Sequence, residues 1–269
     1  MTISVIANQK GGVGKTLVTT GCAHAAAAAG KKVLVIDTDT QGSLTSQMGH
    51  YTVDAPPPRS LADVLDRQTQ TPLAEAIVPS KRPGIDLLPS GFDGLQAVSD
   101  TLFGKPGAES SLARALAPVA DRWDLVLIDT RPGTDLVTRN AFMAADSIVM
   151  VLEPEVPAIR GGALTMRAIA ELEQYLDKQL PVAGWVVNRL ILSRGDHAEW
   201  LDKIRDLALD DGIPMLGDPI TLSADLARLT VVGMGIDQYR QASPRLRVTA
   251  ATFKAIADGI EAASMAVPA

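Results

Sequence analysis

The glycine-rich segment at residues 9–16 is the feature that most constrains the fold. It lies between a short apolar run, residues 3–7, and an alanine-rich stretch, residues 16–29, that stops at Gly30. A short apolar run beside a glycine-rich turn is typical of a buried parallel strand, and the alanine-rich stretch predicts a helix lying close to a sheet. The segment therefore predicts a strand–loop–helix unit in an α/β domain.

The same segment has the residue types that bind phosphate. It has the sequence Q-K-G-G-V-G-K-T. Glycine-rich backbone can turn its N–H groups around phosphate oxygens, and the following helix N-terminus adds partial positive charge. In the general pattern G-x-x-x-x-G-K followed by Ser or Thr, Lys15 reaches the β- and γ-phosphates and the Thr16 hydroxyl binds Mg²⁺. Two departures are Gln9 at the first glycine position and an additional lysine, Lys10.

Apolar strands and helical segments alternate along the rest of the chain. Strands are predicted at residues 32–37, 85–88, 123–129, 147–152 and 182–187, with helices at 111–120 and 158–175. This alternation predicts an α/β fold in which a mostly parallel central sheet is covered by helices on both faces. With the phosphate-binding pattern at residues 9–16, it is typical of a three-layer P-loop NTPase. Because no repeat or linker-like break in composition interrupts it, we expect one domain over residues 1–269.

Composition narrows the classes of function. The chain has 269 residues with a formal net charge of −6, so any nucleic-acid contact needs a local basic patch. Cys22 is the single cysteine, which excludes an intrachain disulfide and a cysteine-clustered metal site within one chain. The start lacks the pattern of a signal peptide, and no apolar run reaches the ~18 residues of a membrane span. We expect a cytoplasmic protein without a membrane partner.

Several motifs together resemble the ParA/MinD family of deviant Walker A P-loop ATPases. Residues 10–16, K-G-G-V-G-K-T, are similar to the family's phosphate loop. Residues 37–42, D-T-D-T-Q-G, resemble its D-x-D-P-Q-G switch segment with Thr40 in place of proline. Asp129 ends an apolar strand as a Walker B aspartate does, and Arg131 replaces the first proline of a D-x-P-P motif. The motifs occur in the family's order over almost the whole chain.

The resemblance implies ATP and Mg²⁺ as cofactors. It assigns Mg²⁺ to Thr16, Asp37 and Asp129, and catalysis to Lys10, Lys15 and Asp39. The alternative for Asp37 or Asp129, taken alone, is a solvated strand end or a helix cap. Asp39 would orient the attacking water. The nucleotide-binding residues that it implies are Gly11, Gly12, Val13, Gly14, Lys15, Thr16, Leu17, Glu155, Asn188 and Pro219. The alternatives are a helix cap for Glu155 and a strand-end turn for Asn188.

Lys10 resembles the family's signature lysine, which reaches the partner's phosphates in a nucleotide-sandwich dimer. We therefore expect an ATP-dependent homodimer in which Lys10 acts in trans. For Arg131 two roles remain open, a γ-phosphate-sensing cation or a surface pair with Asp135.

The predicted first strand begins near residue 3, so the resemblance is to short ParA proteins, which lack an N-terminal helix-turn-helix. It implies a nucleoid-associated ATPase that binds duplex DNA non-specifically and positions plasmids, chromosomes or other cargo. A ParB-like partner would stimulate its ATP hydrolysis. Ile220 and Ser223 stand where short ParA proteins commonly have arginines. The densest remaining cluster of arginines is therefore the predicted DNA patch: Arg240, Arg245 and Arg247.

Two other functions remain open. One is a metabolic P-loop enzyme such as a dethiobiotin-synthetase-like ligase, although such an enzyme has no need for Lys10. The other is a MinD-like positioning ATPase that uses another matrix. A nitrogenase-type iron protein is excluded, because it needs two cluster-ligating cysteines per chain.

Overall fold

A seven-stranded sheet forms the centre of the chain, in a computed structural model that describes residues 1–176 and 178–266. Its strands are β1 (Thr2–Ala7), β2 (Val33–Asp37), β3 (Val78–Pro79), β4 (Ile85–Leu88), β5 (Leu125–Asp129), β6 (Ser147–Leu152) and β7 (Val182–Val187). They are arranged in the order β3-β4-β2-β5-β1-β6-β7. Every neighbouring pair is parallel except β3 with β4. The predicted mostly parallel sheet is confirmed.

The connections between these strands are largely helical. The helices are α1 (Lys15–Ala28), α2 (Ser43–Met48), α3 (Leu61–Leu65), α4 (Leu73–Ala76), α5 (Asp93–Leu102), α6 (Ser111–Leu116), α7 (Leu136–Ala144), α8 (Val156–Leu176), α9 (Gly195–Asp210), α10 (Ala224–Val232) and α11 (Pro244–Ala266). Short 3₁₀ turns cover Ala108–Ser110, Ala117–Arg122 and Ile236–Gln238. Among the described residues, none of these helices combines the length and the apolar character that crossing a membrane requires.

Helices cover both faces of the sheet because alternate strand residues point to opposite sides. On β2, Val33 and Val35 face a core shared with α1 and α11, whereas Leu34 and Ile36 face a second core shared with α3, α5, α6 and α7. All four side chains are fully buried. The two cores explain why β2 is apolar at consecutive positions, since both faces of this strand are buried.

Several predicted boundaries differ from the structure by one or more residues, and the largest difference is in the second predicted helix. The helix predicted at residues 111–120 ends at Leu116 and continues as the 3₁₀ turn Ala117–Arg122. Pro118 lies in the first turn of that segment, where its missing N–H and fixed φ interrupt an α-helix. The helix predicted at residues 158–175 runs from Val156 to Leu176.

The strand register brings the two predicted metal carboxylates together. Asp129, the last residue of β5, is paired with both Ile6 of β1 and Asp37 of β2. Because the carboxyl ends of parallel strands meet at one edge of a sheet, both aspartates lie at the same edge as the loop after β1. This is the edge at which open α/β sheets bind their ligands.

A buried histidine of α1 makes a pH-dependent contribution to stability. His24 Nδ1 lies 3.2 Å from Arg82 Nη1, and the Arg82 guanidinium binds both oxygens of Asp237 at 2.7 Å. Arginine only donates, so Nδ1 accepts and the ring is neutral. Burial, reinforced by Arg82, lowers the pKa of His24 to about 4.

We expect the contribution of neutral His24 to the free energy of unfolding to be fully present above the unfolded pKa of ~6.5. It is lost as the pH falls towards 4, since the unfolded chain binds the extra proton in that window. His24→Gln, which keeps an acceptor for Arg82, should reduce the pH dependence of the unfolding free energy by up to about 3 kcal/mol between pH 7 and 4. Urea denaturation at several pH values measures it. Parallel curves for the two proteins would contradict the expectation.

Candidate active site

Glycines shape the loop between β1 and α1. Gly12 and Gly14 have positive φ angles of 79° and 90°, a region that L side chains rarely adopt. A Cβ atom on Gly14 would lie 2.1 Å from Asn188 Nδ2. The Asn188 amide donates to the Val13 carbonyl at 2.8 Å and fixes the loop from the end of β7. Glycine is therefore required here by both conformation and space.

Lys15 is buried within the loop. Its side chain donates to the carbonyl oxygens of Asn8 at 3.1 Å and Lys10 at 3.3 Å. Desolvation lowers its pKa, and the carboxylates of Asp129 and Asp39 oppose that shift. The ammonium is thus held by the loop that the sequence predicts to wrap around phosphate.

Two buried carboxylates lie beside the start of α1. The Thr16 hydroxyl donates to Asp129 Oδ2 at 2.7 Å. Asp37 Oδ2 accepts from the backbone N–H of Thr45 at 2.8 Å and from its hydroxyl at 2.7 Å. Burial raises the pKa of Asp37 to about 6, and burial together with the charge of Asp37 raises the pKa of Asp129 to about 7.

These groups fit a magnesium site. Two adjacent carboxylates in a buried place repel one another, and a divalent cation supplies the charge that would stabilise both. In the described part of the chain, His, Cys, Asp and Glu side chains form no metal-binding group of three or more. Mg²⁺ usually takes one or two carboxylates and completes its shell with phosphate and water. Thr16, Asp37 and Asp129 match that requirement.

Asp39 follows the buried pair in a more open position. Its backbone N–H donates to Asp37 Oδ1 at 3.0 Å, and its own Oδ1 accepts from the Gln41 N–H at 3.0 Å. Gly42 then turns the chain with a φ of 63°, and a Cβ there would lie 2.2 Å from the Phe92 ring. The switch segment, residues 37–42, is therefore packed against the loop that contains Phe92.

Lys10 points to acidic residues rather than into its own loop. Its ammonium lies 2.9 Å from Glu153 Oε2 and also pairs with Glu155 Oε1. Its backbone N–H donates to Asn8 Oδ1 at 2.8 Å. The two lysines of the loop thus occupy different environments, Lys15 among loop carbonyls and Lys10 between the end of β6 and the start of α8.

A cavity of about 270 Å³ adjoins the loop on the side of β7 and α10. Asn188 lines it, and its Oδ1 is buried without a hydrogen-bond partner in the described structure. Three residues of the loop between α9 and α10 also line the cavity, just beyond Pro219: Thr221, Leu222 and Ser223. An unpaired buried acceptor beside a phosphate loop fits recognition of a base amino group. The adenine roles of Asn188 and Pro219 stay predictions.

The predicted basic patch lies at the start of α11 and in the loop just before it. Arg240, Arg245 and Arg247 are all exposed. Arg245 Nε donates to Thr221 Oγ1 at 3.0 Å, which places a guanidinium against the loop where the sequence lacks arginines. Arg131 pairs with Asp135 at 3.1 Å and donates to Gln96, so its contacts are those of the surface-pair alternative.

Three further residues shape the site without belonging to any of the motifs. Asn8 ties Lys10 to β6 and α8, and Thr45 holds Asp37. Arg189 has a φ of 59° and donates from Nη1 to the Gly12 carbonyl at 2.7 Å. In the sequence, Asn8 is marked only by its position directly after the first apolar strand, and Arg189 only by its position directly after Asn188. Nothing in the sequence marks Thr45.

Together, the sheet order, the phosphate loop and the paired carboxylates define a P-loop NTPase. Residues 1–182 match the family model described as "AAA domain" (AAA_31). The chain is 31% identical to the chromosome partitioning protein ParA of Caulobacter vibrioides over 82% of this chain and 86% of that protein. The chain belongs to the ParA/MinD family of P-loop ATPases.

Solved structures agree with this assignment. Cobyrinic acid a,c-diamide synthase of Mycobacterium smegmatis, bound to an ATP analogue and magnesium, has a TM-score of 0.75 and 28% identity, covering 86% of this chain and 91% of that one. McdA of Cyanothece has a TM-score of 0.81 over 98% of this chain and 99% of that one. At 22% identity it supports the fold alone. The bound ATP analogue and magnesium of the first neighbour agree with the cofactors predicted here, ATP and Mg²⁺.

Proposed function

We propose that this chain is a ParA-type ATPase that dimerises on ATP, binds duplex DNA without sequence preference and positions a plasmid, chromosome or other cargo. The observation that carries the proposal is the separation of its two loop lysines. Lys15 is buried among the carbonyls of its own loop, whereas the Lys10 ammonium lies outside that loop against Glu153 and Glu155. A second cation that its own phosphate loop does not use suits contact with a partner's nucleotide.

The position of each side chain supports the catalytic role proposed for it. Phosphoryl transfer depends on positioning and charge stabilisation more than on covalent chemistry. Lys15 would bind the β- and γ-phosphates, and Thr16, Asp37 and Asp129 would hold Mg²⁺, which neutralises phosphate charge when bound. Asp39, the more exposed carboxylate beyond the buried pair, would orient the attacking water. Asn188 Oδ1 would accept from the adenine amino group.

The proposed DNA surface is the cluster of Arg240, Arg245 and Arg247. All three are exposed, and dimerisation would double the cluster, which offsets the acidic average of the chain. Arg245 also contacts Thr221, in the loop beside the candidate base cavity, so nucleotide and DNA would act on neighbouring parts of the molecule. A ParB-like partner would stimulate hydrolysis and release, and the protein would be nucleoid-associated.

The test is binding to random-sequence duplex DNA with Mg-ATP, with Mg-ADP and without nucleotide, across a salt series. We expect binding only with ATP and a steep fall with salt. Arg245→Gln with Arg247→Gln removes two cations per protomer and four per dimer, so the slope of log K against log salt should fall by roughly 3 to 4. Arg167→Gln, which removes an exposed arginine from α8, is the matched control. An unchanged slope in the double variant would reject the assigned patch.

A metabolic enzyme is the second candidate, favoured by the likeness to cobyrinic acid a,c-diamide synthase. Turnover gated by a small carboxylic acid would support it, whereas slow turnover stimulated by DNA and a partner protein supports the partition ATPase. ATP-dependent dimerisation without DNA binding in any state would instead indicate a positioning ATPase that uses another matrix.

A further inference from the structure

Four charged side chains meet where β6 and β7 end beside the phosphate loop. We call Lys10, Glu153, Glu155 and Arg189 the Lys10 cluster. Lys10 pairs with both glutamates, and Arg189 Nη1 lies 3.7 Å from Glu153 Oε1. The side chains of Lys10, Glu153 and Glu155 are 24%, 14% and 30% exposed, so water screens these pairs only in part.

We propose that Glu153 and Glu155 are positioning residues that hold the Lys10 ammonium on its own protomer, and that Arg189 becomes the main partner of Glu153 when Lys10 leaves for the partner subunit. The inference rests on the proposed function, because it requires Lys10 to act across a dimer. It adds that ATP-driven dimerisation must first break an intramolecular contact.

The backbone around Lys10 favours a movement of its side chain over a refolding of the loop. The Lys10 N–H donates to Asn8 Oδ1, and the Asn8 amide donates to the carbonyls of Val151 and Ala158. Gly161 of α8 packs so closely that a Cβ there would lie 2.4 Å from Asn8 Oδ1 and 2.9 Å from Lys10 N. The main chain of Lys10 is therefore fixed to β6 and α8, while its long side chain has rotatable bonds with which to change partners.

Arg189 is placed to take over Glu153. Its φ of 59° is uncommon for a residue with a side chain, and its guanidinium also binds the Gly12 carbonyl. A guanidinium has five N–H donors, so Arg189 can keep Gly12 and still bind a carboxylate. With Lys10 gone, two glutamates face one arginine, and Glu153 would otherwise lose its nearest cation.

The experiment measures the dimer dissociation constant by sedimentation velocity with Mg-ATP, in an Asp39→Ala background that blocks hydrolysis. Glu153→Gln and Glu155→Gln, alone and together, should tighten the dimer. Removing the charge-assisted hydrogen bond that holds Lys10 in one protomer should lower the dimer dissociation constant roughly tenfold. Removing it in both protomers should lower the constant about a hundredfold. In a Lys10→Gln background the same glutamate substitutions should no longer tighten it. Disruption of a merely structural ion pair would not strengthen association.

Two further variants separate the holding role from the proposed function. Arg189→Gln should weaken the dimer and Arg189→Lys should recover part of the loss, because a cation again faces Glu153. Glu171→Gln, which breaks the exposed pair with Arg167 on α8, should leave the dimer unchanged. Suppose that the protein with an unaltered Lys10 cluster dimerises on ATP and that Lys10→Gln weakens the dimer, but that the glutamate variants do not tighten the dimer. The holding role would then be overturned while the proposed function stands. If ATP drives no dimer at all, the proposed function and this inference both fail.

Discussion

Asp39→Ala is expected to abolish ATP hydrolysis while the ATP-dependent dimer still forms. Asp39 lies outside the buried pair and its carboxylate accepts from a backbone N–H of its own turn, so no strand depends on it. Removing a group that positions or activates a reacting water costs about 10²- to 10⁴-fold in rate. ATP binding should survive because Lys15, Thr16 and the carboxylates of Asp37 and Asp129 are unchanged.

The measurement pairs steady-state phosphate release with light scattering of the Mg-ATP complex. Asp54→Ala, at an exposed loop aspartate, serves as control and should retain both properties. An Asp39→Ala protein that hydrolyses ATP at the normal rate would remove Asp39 from the reaction. One that fails to dimerise would place Asp39 in nucleotide binding or in the subunit contact.

The same variant reports whether Lys10 acts in trans. Mixing Lys10→Ala chains with Asp39→Ala chains creates heterodimers in which one site has its own Asp39 and receives the partner's Lys10. Some turnover should return although each variant alone is inactive. No recovery at any mixing ratio, with heterodimers demonstrated, would show that Lys10 serves its own protomer.

The phosphate loop and the buried carboxylates were predictable because their determinants are local. The loop is one continuous motif, and Asp37 and Asp129 each end an apolar strand of a sheet whose parallel order brings strand ends together. The surroundings of Lys10 were not predictable, since its partners Glu153 and Glu155 lie 143 and 145 residues away along the chain. Which side chain reaches which depends on the packing of α8 against the loop.

The loop between α9 and α10 depends on packing in the same way. The sequence shows that Ile220 and Ser223 are not arginines, but it does not show that Arg245 of α11 hydrogen-bonds to Thr221 between them. Likewise, Gly233 at the end of α10 lies so near α2 that a Cβ would be 2.0 Å from the Gln47 carbonyl. Because α2 directly follows the switch segment, this contact joins the switch region to α10, a neighbourhood visible only in three dimensions.

Asp129→Asn is expected to separate stability from activity. Asp129 is 1% exposed, and burial with the nearby Asp37 charge raises its pKa to about 7. Its folded pKa exceeds the unfolded value of ~3.9, so the folded chain binds the extra proton and loses stability as the pH rises from about 4 to 7. Asparagine never ionises. The Thr16 and Thr19 hydroxyls donate to different oxygens of this carboxylate, so in the variant one can still donate to the amide oxygen while the other turns to accept from the amide N–H.

The raised pKa means that the ionised Asp129 carboxylate lowers the stability of the folded chain at pH 8. Removing that charge restores stability, and the loss of a negative charge near Lys15 offsets part of the gain. We therefore expect nucleotide-free Asp129→Asn to be about 1–2 kcal/mol more stable than the wild type at pH 8, a gain that shrinks at pH 5. Mg²⁺-dependent hydrolysis should fall at least about 10²-fold, because one metal carboxylate is gone. Urea denaturation in EDTA and phosphate release in Mg²⁺ measure the two effects, with exposed Asp121→Asn as control. A less stable Asp129→Asn at pH 8 would mean that the carboxylate is ionised and well paired without the metal, and the two buried aspartates would then be part of the fold's own support as well as its metal site.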